Sequence, residues 1–433
     1  MISKGNNCYE DSKIPNDWEC TRLKNVLTIS DKTSLNPTEE KILSLTNKGI
    51  VERDITSNKG QLAESYDKYT LIKEGQICMN PMDLWSGWVD ISSYDGLISP
   101  AYYTFLLIKK FDSGFINYFL QLNYINGYFF TLGRGVASHN NFGRWVLTPE
   151  MLYNIQIYFP DINQQKLISR YLDKKTAQID LLIEKIQKKI ELLKEQRISL
   201  INQCVTKGLD PSVEMKDSGV EWIGEIPEHW KLTKLKYICP NEVQYGLNIE
   251  SEYYQENGVR FIRITDITSD GRLKETDGVY LSQDDVPEEY YLQKYDILFS
   301  RTGGTVGKSI RIEDLNSDMS FAGYLVRFSF EDGVLSEFVK LVSESGMFWK
   351  WIDIQIIQST IQNVNGEKYS NFTFPLPSND EIRSINRLIN DKVDIIKKHI
   401  INHESKIRLL LEYRQSIISS VVTGKVRVTE NML

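Results

Sequence analysis

The stretch FSRTGGTVGKSIRI, residues 299–312, has the residue types of a phosphate cradle: a glycine turn followed by Gly307, Lys308 and Ser309. A nucleotide-binding loop needs four residues between its first glycine and the Gly-Lys-Ser/Thr. Here Gly303 leaves three. Such a loop must also open a helix, whose N-terminal amides hold the anion. Ile310, Arg311 and Ile312 instead continue in the alternation of a strand. Spacing and context both argue against nucleotide hydrolysis and favour a basic hairpin turn. The fragment NPMD at 80–83 approaches the NPPY-type motif of adenine methyltransferases, but it lacks the second proline and the aromatic that would stack on a flipped base. With no glycine-rich cofactor loop ahead of it, it reads as a turn. Five scattered cysteines without a CxxC pair, and four histidines without ligand spacing, point to reduced thiols and no metal.

Local charge says more than the total of −7, which by itself argues weakly against nucleic acid. From 113 to 149 there is no Asp or Glu, while Arg134, Ser138, His139, Asn140, Asn141, Arg144 and Trp145 are present. IQIIQSTIQNVNG at 354–366 carries no charge of either sign, and around the opening stretch Lys294, Arg301, Lys308 and Arg311 face the single acid Asp296. A surface without carboxylates can approach phosphates, with Arg, Asn and Gln as donors to phosphates and base edges. An acid-free aromatic stretch can equally be core.

These patches sit in a chain written twice. IPNDWECTRLKNVLT at 14–28 returns as IPEHWKLTKLKYICP at 226–240, and FPDINQQKLISRYL from 159 returns as LPSNDEIRSINRLI from 376, at an offset of 217. Leu172, Thr176, Ile179, Ile183, Ile186, Ile190, Leu193, Arg197, Leu200 and Cys204 alternate at spacings of four and three. Their equivalents are Ile389, Val393, Ile396, Ile400, His403, Ile407, Leu410, Arg414, Ile417 and Val421. That is a heptad seam. Without internal Pro or Gly, each run predicts a helix of about 45 residues, about 68 Å long, stopped by glycine in TKGLD and TGKVR. On the seam, Arg197, Arg414 and His403 are expected to snorkel or to meet a carboxylate of the partner helix. The intervening segments mix short alternating stretches with turns and read as compact mixed α/β domains.

Hydrophobic content of 41% and charged content of 25% are those of a soluble globular protein, and the polar N-terminus lacks a signal-peptide core. The expectation is a cytoplasmic protein with no membrane contact. The domains are expected at 1–160 and 214–377, with a helix and linker at 161–213 and a helix and tail at 378–433.

The paired IPxxW openings, acid-poor loops and duplicated helices resemble the specificity (S) subunit of type I restriction-modification enzymes, from residue 14 to about 427. The resemblance implies two target recognition domains separated by an antiparallel two-helix coiled coil with pseudo-two-fold symmetry. Each domain would read half of a split, asymmetric duplex DNA target. It also implies a subunit that is not an enzyme and holds no cofactor. Two methyltransferase (M) subunits would use S-adenosylmethionine, and restriction (R) subunits would use ATP and Mg2+. On this reading Asn80 and Trp85, Arg134, Ser138, Asn140, Asn141 and Arg144 face DNA from the first domain. Arg301, Thr302, Thr305, Lys308, Gln362, Asn363 and Asn365 do so from the second, and ICMNPMDLWSGWV at 77–89 is the counterpart of the opening loop without its basic residues. A nucleotide hydrolase or fused nuclease, and a coiled-coil adaptor with no DNA role, are the alternatives.

Overall fold

Uninterrupted heptads need a long helix to present them, and two form: Ile162–Lys207, of 46 residues, and Asn379–Val422, of 44. The computed structural model describes residues 14–433 apart from 34–39, 48, 56–62, 64, 85–86, 137–143, 269–270, 275 and 358–361. All twenty seam positions are buried or half-buried, and most positions between them are exposed. Burying one apolar stripe per helix is what a heptad pattern accomplishes.

By contacts the chain forms two compact units, residues 1–186 with 404–433, and residues 187–403. Both cuts fall inside the long helices, at equivalent positions of the repeat. Within the first unit, Ile168 and Leu172 from the start of one helix share a core with Ile418, Val421 and Val422 from the end of the other. Within the second, Ile201, Cys204 and Val205 share a core with Ile385 and Ile389, the equivalent residues with the helices exchanged. In both units the two helical segments therefore run antiparallel.

Each helix ends as its glycine dictates. Gly208 and Gly424 take φ of +74° and +75°, in the left-handed region where a Cβ is strained. Each also lies under an IPxxW tryptophan: a Cβ on Gly208 would come within 3.1 Å of Trp230, and one on Gly424 within 2.6 Å of Pro15 and 3.2 Å of Trp18. The repeated motif is thus a clasp over a helix end.

Both units contain the same four-stranded antiparallel sheet. In the first the order is Leu27–Ser30, Tyr103–Leu107, Ile77–Met79, Val89–Ile91. In the second it is Gln244–Tyr245, Leu325–Phe328, Ile297–Ser300, Ser309–Arg311. The residues after Ser309 do form a strand, as alternation predicts, and no helix follows the glycine turn. Among the described residues no helix is long and apolar enough to cross a membrane, and no group of His, Cys, Asp and Glu could hold a metal.

The acid-free stretch from 113 is largely core. Its first part is the helix Ser113–Ile125, capped by Asp112, whose Oδ1 accepts from Phe115 N. There Phe115, Phe119 and Leu120 are fully buried, with Asn117, Gln121 and Asn123 beside them. Carboxylates are missing there because their desolvation would be costly.

Candidate nucleic-acid interface

In each unit one hairpin loop leaves the same edge of the sheet. Ile77 pairs with Ile91 and Ile297 with Arg311, so the loops between them have equal length. The segment 77–89 is therefore the topological counterpart of the opening stretch. Each loop is tied to the segment ahead of a short capped helix. Leu147 N donates to Pro81 O at 2.9 Å, and Val364 N donates to Arg301 O at 3.0 Å. One residue further along, the Thr148 side chain accepts from Met151 N, and Asn365 Oδ1 accepts from Lys368 N at 2.9 Å. Two sequence segments some sixty residues apart thus meet at one place, twice.

In the second unit the loop is built tightly at its neck and openly at its tip. Tyr369, buried and stacked on Phe299, donates its hydroxyl to Ser300 O at 2.7 Å and accepts from Gly307 N at 3.1 Å. Burial pushes the phenol far above the ordinary tyrosine range, so it remains a donor. Gly303 and Gly304 have nothing within 4 Å of an added Cβ, and both are exposed. Gly303 N donates to Gln362 O at 3.1 Å, and Thr302 bridges Asn363, so the tip carries the uncharged segment alongside it. Arg301 lies over the Tyr245 ring at 5.1 Å and donates Nε to Gly323 O at 2.9 Å. No other acceptor meets its guanidinium among the described residues. Asp296 is fully buried, and Arg327 Nη1 is 3.7 Å away. Burial pushes its carboxyl upward, and the side chain lies inside at the start of the strand, away from the exposed turn.

The other expected residues divide by what they bond. Thr305 Oγ1 shares a hydrogen bond of 2.8 Å with Ser300 Oγ and donates to Thr302 O at 3.1 Å, closing the turn. Asn365 is a helix cap, the structural role open to any such asparagine. Gln362 is exposed, and Asn363 Oδ1 is buried without a hydrogen-bond partner. Lys308 lines a separate cavity with Arg197, Lys340 and Glu344. In the first unit Asn80 Oδ1 accepts from Met82 N at 3.0 Å, and its carbonyl accepts from the Tyr124 hydroxyl, so it shapes the turn. Arg134 is exposed on the hairpin Arg134–Val136 with Arg144–Val146, where Arg144 begins the returning strand. Trp85, Ser138, His139, Asn140 and Asn141 lie outside the described residues.

The seam arginines part company. Arg414 follows expectation, reaching Asp180 of the other long helix through Nε and Nη2 at 3.0 and 3.3 Å. Arg197 instead pairs with Glu344, at the end of the helix Gly333–Glu344 that packs beside the sheet. The partner helix offers Arg197 no matching carboxylate bond among the described residues, and the globular part of the unit supplies one.

Tyr245 and Tyr324, 40% and 56% exposed, flank Arg301 and were not marked by residue pattern. A signal existed. Each adjoins a glycine, Gly246 and Gly323, forced by close crossing: a Cβ on Gly246 would fall 2.3 Å from Phe321 O, and one on Gly323 2.1 Å from Asn248 Oδ1. Glycine in a strand-rich segment marks a place where the backbone is pressed against a neighbour.

No family model matches the chain. It is 26% identical over 287 residues to the type I restriction enzyme MjaVIII specificity subunit of Methanocaldococcus jannaschii, over 64% of this chain and 63% of that protein. It is 25% identical over 272 residues to the putative type I restriction enzyme MjaX specificity subunit of the same organism, over 58% and 59%. The matches thus span about three-fifths of these curated relatives. A chain in a solved structure described as addressing complex assembly and conformational transition of the type I R-M system superposes with a TM-score of 0.64. It shares 15% identity and covers 96% of this chain and all of that one. By sequence the chain is similar to specificity subunits of type I restriction enzymes, and its fold is that of a chain from a type I R-M system.

Proposed function

We propose that this chain is the DNA-recognition subunit of a type I restriction-modification complex, reading a bipartite asymmetric duplex target with one half-site per sheet-borne loop cluster. One observation carries the reading. The same pair of segments, a hairpin loop and a capped-helix approach, occurs at the same edge of two copies of one sheet. In the second copy it presents Arg301, Tyr245, Tyr324 and Gln362 with no exposed acid in the loop itself. Guanidinium and amide donors suit phosphates and base edges, and aromatic faces suit bases. Two modules on one chain make the second engagement intramolecular, so their discriminations multiply.

Residues 14–160 and 226–377 are the recognition segments in this proposal, and the long helices hold them and recruit partners. Those partners are two methyltransferase subunits that use S-adenosylmethionine, and restriction subunits that use ATP and Mg2+, in the cytoplasm. This chain performs no catalysis of its own. The test is to replace residues 226–377 with the segment of a relative, express the chain with its methyltransferase partner, and sequence the methylated adenines. One half of the methylated sequence should change and the other persist. A change in both halves, or in neither, would overturn the independent-module reading.

A further inference from the structure

A cavity of about 150 Å³ opens beside the exit of the glycine turn, with its whole lining inside the second unit. That volume is well beyond the roughly 10–15 Å³ that one water needs. Among the described residues three cationic side chains line it, Lys308, Arg197 and Lys340, against one carboxylate, Glu344.

The carboxylate is already used twice. Arg197 Nη2 bonds one oxygen of Glu344, and Lys340 Nζ stands 3.0 Å from the other. Lys340 spends its remaining donors on the carbonyl and hydroxyl of Ser309, both at 3.0 Å. Two cationic groups keep donors with no partner among the described residues. Arg197 Nε is buried with no hydrogen-bond partner. The Lys308 ammonium meets no acceptor or carboxylate among the described residues. Two positive charges in excess inside a partly enclosed hollow are unfavourable unless an anion completes them.

We infer that this cavity is a phosphate-binding site in which Lys308 and Arg197 clamp a tetrahedral oxyanion. A guanidinium edge and a mobile ammonium suit a phosphate's several oxygens and double charge, where a single carboxylate would satisfy only one of them. The binding does not follow nucleotide-loop geometry, because Ser309 enters a strand and its hydroxyl is buried against Ser343 Oγ at 2.7 Å. The phosphate can come from the DNA backbone or be free in solution. The site does not depend on the DNA reading; only the first source does.

The test uses the full chain and inorganic phosphate, titrated by calorimetry at fixed ionic strength with chloride as the comparison. Phosphate should bind and raise the melting temperature where chloride does not. Lys308→Met should weaken phosphate binding by roughly tenfold or more, the loss of one charge-assisted hydrogen bond. Lys308→Arg should retain most of the affinity, and Lys350→Met, an exposed lysine outside the cavity, should change nothing. Equal affinity in the native chain and Lys308→Met, or phosphate acting no differently from chloride, would overturn the site.

A second arm identifies the source, using the chain assembled with its methyltransferase partner. Lower duplex affinity of Lys308→Met across unrelated sequences assigns the phosphate to DNA. Unchanged duplex affinity with lost phosphate binding assigns it to a free phosphate. An assembly that binds no duplex sinks the proposed function and leaves the phosphate result standing.

Discussion

The hydroxyl of Tyr369 holds the carbonyl of Ser300 at 2.7 Å and, on its other side, receives the amide of Gly307 at 3.1 Å, so one phenol closes both strands at the neck of the exposed turn. The amide of Gly307 and the carbonyl of Ser300 also bond each other at 3.1 Å, so removing the hydroxyl takes one of two partners from each while the ring packing stays. Tyr369→Phe should therefore cost roughly 0.5–1.5 kcal/mol in chemical denaturation. Faster amide exchange at Gly307 should accompany it. Unchanged exchange at that amide would show that the neck is held by its ladder alone.

The helix-ending glycines give a rank order. Gly208, Gly219, Gly224 and Gly424 all have φ near +70°. Gly219 and Gly224 have open space where a Cβ would go, Gly208 would press Trp230 at 3.1 Å, and Gly424 would meet Pro15 at 2.6 Å. Alanine at the first two should cost about 1 kcal/mol for the backbone alone. Gly208→Ala should cost more and Gly424→Ala most, read as melting temperatures. Four equal losses would mean that the clasp contacts contribute nothing.

A buried charge on the seam should be far worse than one beside it. Ile190 is 7% exposed, and Gln187 on the same helix is exposed. Ile190→Asp should lose about 3 kcal/mol or more, against under about 0.5 kcal/mol for Gln187→Asp. Circular dichroism at the helical band would separate the two during thermal unfolding.

Glu381 predicts an acid limb. Burial works against its charge, but hydrogen bonds from His229, Ser378 and Trp230 hold its carboxyl at about 2, below the ordinary 4.5. A depressed folded value gives stability that is present above pH 4.5 and is lost as pH falls toward 2. Glu381→Gln should flatten that limb by less than about 1 kcal/mol, because the group is partly exposed. An identical acid profile in the variant would show that these bonds do not discriminate between the charged and neutral forms.

Arg301 should act as a phosphate contact in the proposed complex. Arg301→Ala should weaken duplex binding for all sequences and make the logarithmic salt slope shallower by about 0.9, one phosphate's worth of counterions. A loss confined to one base position would make Arg301 a base reader instead.

Periodic features were legible because local rules produce them. Ile179 through Leu193 and Ile389 through Leu410 show their seam in spacing alone, and Gly208 and Gly424 announce the helix ends. The strand after Ser309 followed from alternation. Features that depend on which distant segments meet were not legible. Residues 113–125 lack acids because they form a buried helix, and composition cannot tell that from a phosphate-facing surface. Nothing local indicated that Arg197 would find Glu344, or that Lys308 would turn from Arg301 toward a cavity. Asn365 is expected from its type to face a base or phosphate, and its cap role becomes visible only with the helix that begins after it.

The division of the long helices also sets an order of synthesis. Residues 187–403 form one unit from a continuous stretch, so that unit has all its segments once residue 403 is made. The other unit waits. Ile168, Tyr171 and Leu172 are made early, yet Ile418, Val421, Val422 and Val428, which share their core, emerge more than two hundred residues later. The first-made module therefore spends most of translation with an uncovered apolar face. It is the part of the nascent chain with most need of a chaperone.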